Sequence, residues 1–461
     1  MPSRKSRTIR DFAAMLGSCL LACAIFIPAA GAAPEPPSLS KRGPDPEPTP
    51  PPLALEEVFV TSAPRKINEA QTIKEAYAKV KNGGVIFITQ KSTDISNDGS
   101  TLVVTRPVTI ALDPDLKTQM AIESDDDLAR ARVNAAADGL CLIMGQDERG
   151  DESGRRTPRD EVTIRDVEFV PNPGAAGDCI EVFSGRLFLD NVKMGSEDDA
   201  FTKGVVIQGG EVITNEKFRL KASKTGIDVR AGALEIADGA EITGAGSGDA
   251  PALDQSCASA PGKYSIGVFA GASADARVGD PVVILRSVTV SGFGFGVCAA
   301  GSGVMIDGAS IRDAGVCVRA EQQIRIAGSR VGHCRTAAFI SGSNGSDITD
   351  SKFYDSGVGA YIKNGSPPTF NANLFAFNQT AITLGAVDIK DKEIVQKFSG
   401  NSVLCNANAG KLPDWWRFKL ANARKHNRPK ICSGKKITGE CGGLRGRLGV
   451  SPNSCGAVDL R

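Results

Sequence analysis

The chain has 461 residues, with 54 Lys+Arg against 53 Asp+Glu and a net charge of +1, so overall charge calls for no nucleic acid and no membrane surface as partner. Aromatic residues make up only 5% of the chain while glycines number 51. That balance favours a turn-rich β architecture over a helical one, because turns use Gly for positive φ.

Residues 1–32 read as a secretory signal peptide, with a basic start, an apolar run from Phe12 to Ile27, and Ala30 and Ala32 placed for an A-x-A cleavage site. A lipoprotein reading at Cys23 is the lesser alternative, since the apolar run continues past it. No later window is apolar over the length that spans a bilayer. The mature chain is therefore expected without an integral membrane segment, secreted or periplasmic. Residues 33–53 follow as a Pro-rich linker, "PEPPSLSKRGPDPEPTPPP", which cannot build a core and should be extended. Next, Ile73, Ala76, Tyr77 and Val80 stand at helical spacing and predict a short N-terminal capping helix. A turn at Asn82-Gly83-Gly84, a strand from Val85 to Thr89 and a second strand in "TLVVTRPVTIAL" are expected after it.

From Val162 onward the sequence is short alternating strands broken by Gly, Asp and Asn. "IRIAGSRVGHCRTAAFI", "DITDSKFYDSGVGAYI" and "TFNANLFAFNQTAITL" keep their apolar positions while almost every side chain changes. Ile326, Ile348 and Phe370 are 22 residues apart, as are Val331, Phe353 and Phe375, then Ala338, Ala360 and Ile382, then Ile340, Ile362 and Leu384. Four columns at one period mark a solenoid. Three short strands per repeat make a coil that cannot bury its own apolar face, so coils must stack at about 4.8 Å and share columns of inward residues. A β-sandwich does not demand fixed columns, and a leucine-rich repeat would show its Leu-x-x-Leu-x-Leu signature. Both rank below an all-β parallel β-helix over residues 54–400.

The helix-Gly-strand opening, the "VTRPVTI" that follows and the Gly-rich strand-corner-strand units, roughly Ala70 to Gly385, resemble the right-handed parallel β-helix proteins of the pectate-lyase-like superfamily. That resemblance implies a right-handed coil. Superfamily members are lyases, hydrolases, esterases and epimerases of acidic polysaccharides, alongside adhesins and phage tail proteins.

The sharpest cluster of chemical side chains lies in "AGDCIEVF" and "GSEDDAFTK". Asp178 and Asp199 are 21 residues apart, close to one coil, so they are expected on adjacent turns, where two carboxylates repel unless a proton or cation intervenes. With Glu197 and Asp198 they offer a metal site, Asp178, Glu197, Asp198 and Asp199, of the kind that suits Ca²⁺. In lyases of the superfamily such a cation neutralises a uronate carboxylate while Arg or Lys takes the C5 proton; Arg186 and Lys203 are the candidates for that role. The hydrolase branch carries an Asp-Asp motif similar to "EDDAF", together with Gly-His-Gly and Arg-x-Lys motifs that this sequence lacks. His333, in "VGHCR", is the nearest trace of them and reads as a structural corner residue. The competing reading of the acidic cluster is a solvated corner in which Asp caps backbone N–H groups.

Cys141, Cys179, Cys257, Cys298, Cys317, Cys334, Cys405, Cys432, Cys441 and Cys455 remain after signal removal, and an even number in an exported chain favours disulfides. Cys317 with Cys334, and the last four among themselves, are the economical pairs. Asn344, Asn364 and Asn378 match glycosylation acceptors, but Asn columns also form ladders between stacked strands and are read that way first. Residues 401–461 are expected to be a basic, Cys-rich C-terminal cap that covers the open end of the sheet. Trp415, Trp416, Phe418 and Leu420 would supply its apolar face, while Arg424, Lys425, Arg428 and Lys430 belong to a basic run that would contact a polyanion weakly. The sequence thus points to an exported β-helix protein that binds, and with a complete acid–base set would cleave, an acidic polysaccharide. The alternative is a non-catalytic extracellular scaffold or adhesion protein.

Overall fold

The computed structural model describes residues 55–124, 129–145, 161–172, 177–196, 198–215, 217–246, 251–252, 255–258, 263–271, 280–301, 303–341, 345–364, 368–386, 397–399, 401–404, 406, 408–411 and 428–430. Residues 52–461 form one compact unit. Its strands pair in parallel throughout, each with the strand one coil before and one coil after.

Three ladders run the length of the solenoid. The first contains fourteen strands, among them Leu55–Val60, Val80–Ile88, Val108–Leu112, Arg186–Asp190 and Ile324–Ala327, and ends at Phe398–Ser399. The second passes through Ala131–Asn134, Lys193–Met194, Arg330–Gly332 and Lys352–Tyr354, and continues to Arg428–Lys430. The third passes through Leu142–Met144, Asp178–Val182, Phe201–Ile207 and Thr336–Ile340 to Asn408–Lys411. The strand Arg219–Val229 spans a corner, so its first half belongs to the second ladder and its second half to the third.

All four sequence columns are rungs of these ladders. Ile326 pairs with Ile348 and Ile348 with Phe370; Val331, Phe353 and Phe375 align; so do Ala338, Ala360 and Ile382, and Ile340, Ile362 and Leu384. Phe353, Phe370 and Phe375 are fully buried, with Phe353 and Phe375 stacked at 5.1 Å. Because each rung sets an apolar side chain against the apolar one above it, the interior becomes one continuous apolar core.

The corners between ladders are one-residue bends in the left-handed region. Asp166, Asn191, Ser287 and Asp350 make the bend from first to second ladder, and Asp313, His333, Asp355 and Phe377 the bend from second to third. Asp and Asn tolerate that conformation best among non-Gly residues. His333 is accordingly a corner residue, as its sequence context predicts. Beside these bends run buried polar columns. Asn401 Oδ1 accepts from the Asn373 N–H at 3.0 Å and Asn373 Oδ1 from the Ser351 N–H at 3.0 Å. In the parallel column Asn406 accepts from Asn378 at 2.8 Å and Asn378 from Ser356 at 3.1 Å. Asn378 is thus a ladder residue, buried within the corner.

Several features depart from the sequence reading. The helix Ile73–Lys79 forms as expected, capped by Thr72, and Asn82, Gly83 and Gly84 make their bend within the strand Val80–Ile88, at a register break where residues 81–84 face Glu56 alone and Gly83 takes φ +77°. A Cβ at Gly84 would stand 2.6 Å from the Glu56 carbonyl oxygen, so the strand needs Gly there to pair at all. A second helix, Pro114–Ser124, has no apolar stripe by which a sequence reading could find it; Lys117 ties it to buried Asp166 at 2.8 Å. Cys317–Cys334 is bonded as anticipated, and two unanticipated disulfides, Cys141–Cys179 and Cys257–Cys298, join it. Cys405, Cys432, Cys441, Cys455 and the tail residues Trp415, Trp416, Phe418, Leu420, Arg424 and Lys425 lie outside the described residues, as do residues 1–54 and Asn344. Among the described residues no helix is long and apolar enough to cross a membrane.

Candidate functional site

Asp178 opens the strand Asp178–Val182 of the third ladder and faces outward. The disulfide Cys141–Cys179, with Cα atoms 4.7 Å apart, pins this strand to the coil before it. The residue opposite Asp178 is Lys203, whose Nζ lies 2.9 Å from Asp178 Oδ2. The coil between them takes 25 residues. The expected Asp178–Asp199 pairing is therefore corrected. A tight turn, in which the Ser196 N–H donates to the Asp199 carbonyl at 2.8 Å and the Asp199 N–H to Ser196 Oγ at 3.0 Å, lengthens the corner and shifts the register.

Asp198 and Asp199 are exposed on that turn, and Glu197 lies outside the described residues. Among the described residues no group of three or more His, Cys, Asp and Glu side chains converges in a way that would hold a metal ion, and the Asp178 carboxylate is engaged by an ammonium. The described part of the expected Ca²⁺ ligand set does not fit that ion. Arg186 is also separated from the others. It sits on the first ladder, across a corner from Asp178, and binds Glu211 at 2.6 Å.

The residues that do gather around Asp178 and Lys203 are ones that the acidic motif does not mark. Glu181, Val206 and Asp228 share one outward column of the third ladder. Burial first, and the Asp178 charge second, push the Glu181 carboxyl above its ordinary range, while Lys203 opposes them. Asp228 is 3% exposed and held by Arg230 through two bonds of 2.6 and 3.0 Å, with the guanidinium 4.8 Å from the Phe269 ring. Beyond Phe269 the outward face is covered: Cys257, bonded to Cys298, packs with Phe295, Val316 and Phe339. This site therefore consists of charges that satisfy one another, Lys203 by Asp178 and Arg230 by Asp228.

The second ladder has a different outward face. One column carries Arg132, Glu168, Lys193, Arg219, Glu241, Thr289, Ser310, Arg330 and Lys352 in successive rungs. Lys193 stands directly opposite Arg219, but each has an acid on its other side, Glu168 at 2.8 Å and Glu241 at 3.2 Å. Arg330 stands directly opposite Lys352, and the flanking rungs are Ser310 and Leu374. The 22-residue step from Arg330 to Lys352 was legible in the sequence, because it is the same step that aligns the apolar columns.

Comparison with known proteins agrees with this architecture. Residues 267–413 match the family model of the right handed beta helix region. The described coils fold as a right-handed parallel β-helix. None of the curated proteins matches it by sequence. Among solved structures, the A-module of a mannuronan C-5 epimerase of Azotobacter vinelandii aligns at TM-score 0.40 and 8% identity, over 77% of this chain and 91% of that one. A rhamnogalacturonan lyase aligns at TM-score 0.26 and 7% identity, over 77% and 87%. Likeness at that level carries no argument about the chemistry of this β-helix.

Proposed function

We propose that this β-helix is exported and binds an acidic polysaccharide along its elongated flank, on the outward face of the second ladder. The observation that carries the reading is the Arg330–Lys352 rung. Arg330 and Lys352 stand on adjacent rungs, with backbones about 4.8 Å apart, so both cationic side chains can reach one anionic group laid across the ladder. A linear polymer suits such a site because the solenoid presents its side chains in straight rows. The disulfides within the solenoid support export, since disulfides persist in oxidising compartments.

The third-ladder group supports binding less well and cleavage only in part. Glu181 has the raised carboxyl that a general acid needs, but the Lys203 side chain is paired with Asp178, and only a neutral amine released from that pair could take a C5 proton. The test is retention on immobilised polygalacturonate or alginate, with ultraviolet absorbance of unsaturated uronate products followed in parallel, with and without Ca²⁺. Retention should weaken steeply as the Debye length falls from about 10 Å at 0.1 M salt to about 3 Å at 1 M. The double substitution Arg330→Ser and Lys352→Ser should abolish it at unchanged melting temperature. Retention that survives this substitution would remove the second ladder from the proposal.

A further inference from the structure

The outward column next to Arg330 and Lys352 runs Arg312, Gly332, Tyr354, Ala376. Tyr354 stands between two small residues, Gly332 on one flanking rung and Ala376 on the other. Its ring does not stand up from the sheet: a Cβ placed on Gly332 would lie 2.8 Å from both Cδ1 and Cε1 of the ring. The missing side chain at Gly332 is what lets the ring lean down over the neighbouring rung, toward Arg312. His333 meets the ring edge-on, with centroids 5.3 Å apart and planes at 87°, and His333 Nδ1 is itself held 3.1 Å from Asp355. The result is a half-buried ring fixed in one orientation.

The charges around this ring are Arg312, Asp313, Arg330 and Asp355, and both arginines are close enough to act on the Tyr354 phenol. Burial chiefly raises that phenol, so it stays a neutral O–H donor. Arg312 binds Asp313 at 2.8 Å, in a pair about half exposed and therefore easily exchanged for another carboxylate. The Arg330 guanidinium has no hydrogen-bond or ion-pair partner among the described residues, and its fork geometry matches a carboxylate.

We propose that Tyr354, Arg312 and Arg330 form a subsite for one carboxylated pyranose ring: the tyrosine ring carries the apolar C–H face of the sugar, and the guanidiniums receive its carboxylate. The subsite rests on the acidic-polysaccharide reading above and adds to it a ring-stacking requirement that charge alone does not impose. A polyanion held only by charge would need Arg330 and Lys352 but not Tyr354. A carboxylated sugar is favoured over a nucleic acid because a single ring flanked by two cations offers one stacking place, where single-stranded nucleic acid binders line up several.

The chain contains four tyrosines, so full-length protein labelled with 3-fluorotyrosine gives four fluorine resonances, and the one lost in Tyr354→Phe is Tyr354. Titration with trigalacturonate should move that resonance, and maltotriose should not. Arg330→Gln should weaken the interaction by about tenfold, the loss of one charge-assisted contact, without lowering Tm. Tyr354→Ala should do likewise. Calorimetric binding of trigalacturonate with a stationary Tyr354 resonance would overturn the subsite and leave the polysaccharide reading standing. Absence of any binding would overturn both. An equal shift with an oligothymidylate would replace the sugar by a generic polyanion.

Discussion

Asn378 offers a direct test of how the corners are held together. It is 1% exposed; its Oδ1 accepts from the Ser356 N–H at 3.1 Å and its Nδ2 donates to the Phe353 carbonyl at 2.9 Å and to Asn406 Oδ1 at 3.0 Å. Asn378→Ala leaves the buried Ser356 N–H without a partner and removes one of the hydrogen bonds to the Phe353 carbonyl. At about 1–3 kcal/mol for the orphaned donor and about 1 kcal/mol for the lost bond, the cost should be ~2–4 kcal/mol. One coil earlier the same column uses Ser356, whose Oγ accepts from the Cys334 N–H at 3.2 Å. Asn378→Ser should therefore restore the donor's partner but not the bond to the Phe353 carbonyl, and cost no more than about half as much. Urea unfolding followed by circular dichroism measures the difference, and hydrogen exchange at the Ser356 amide localises it. Equal destabilisation by Ala and Ser, or a cost for Ala below ~1 kcal/mol, would refute the hydrogen-bond account of the column.

Phe370→Asp puts a carboxylate where exposure is 0%, at a cost of several kcal/mol, and the coil from Asp347 to Ile362 should lose exchange protection with it, because stacked coils share that interface; an undisturbed neighbour would contradict the column model. The Glu181 carboxyl is raised in the folded state, so its contribution to stability is complete below the unfolded value and is lost as pH rises through the folded one. Glu181→Gln should accordingly raise Tm at neutral pH and leave it unchanged below about pH 4; a difference that grew on acidification would reverse the sign and the argument. Replacing Cys257 and Cys298 by Ser opens a loop closed over 41 residues, worth about 4 kcal/mol on the chain-entropy estimate. Protease cleavage between Gly244 and Ile266 and binding of an apolar dye at Phe295 and Phe339 should both increase, and an unchanged digestion pattern would show that the disulfide does not hold this cover in place.

The coil period, the four inward columns and the Cys317–Cys334 pair were all present in the sequence, because in a solenoid a fixed step along the chain is also a fixed step in space. The same step would have found Arg330 opposite Lys352 and Gly332 beneath Tyr354. Sequence spacing fails where coils change length. The turn at Ser196–Asp199 lengthens one corner, so Asp178 meets Lys203 instead of Asp199, and a shift of a few residues is enough to disperse a ligand set. Corners likewise decide that Arg186, eight positions after Asp178, points from a different ladder. Partnerships across the long insertion, Cys257 with Cys298 above all, follow no period and are fixed only when the chain folds back onto the outward face of the third ladder. Local repetition determines which residues are stacked; the lengths of the corners, set by tertiary packing, determine which charged side chains meet.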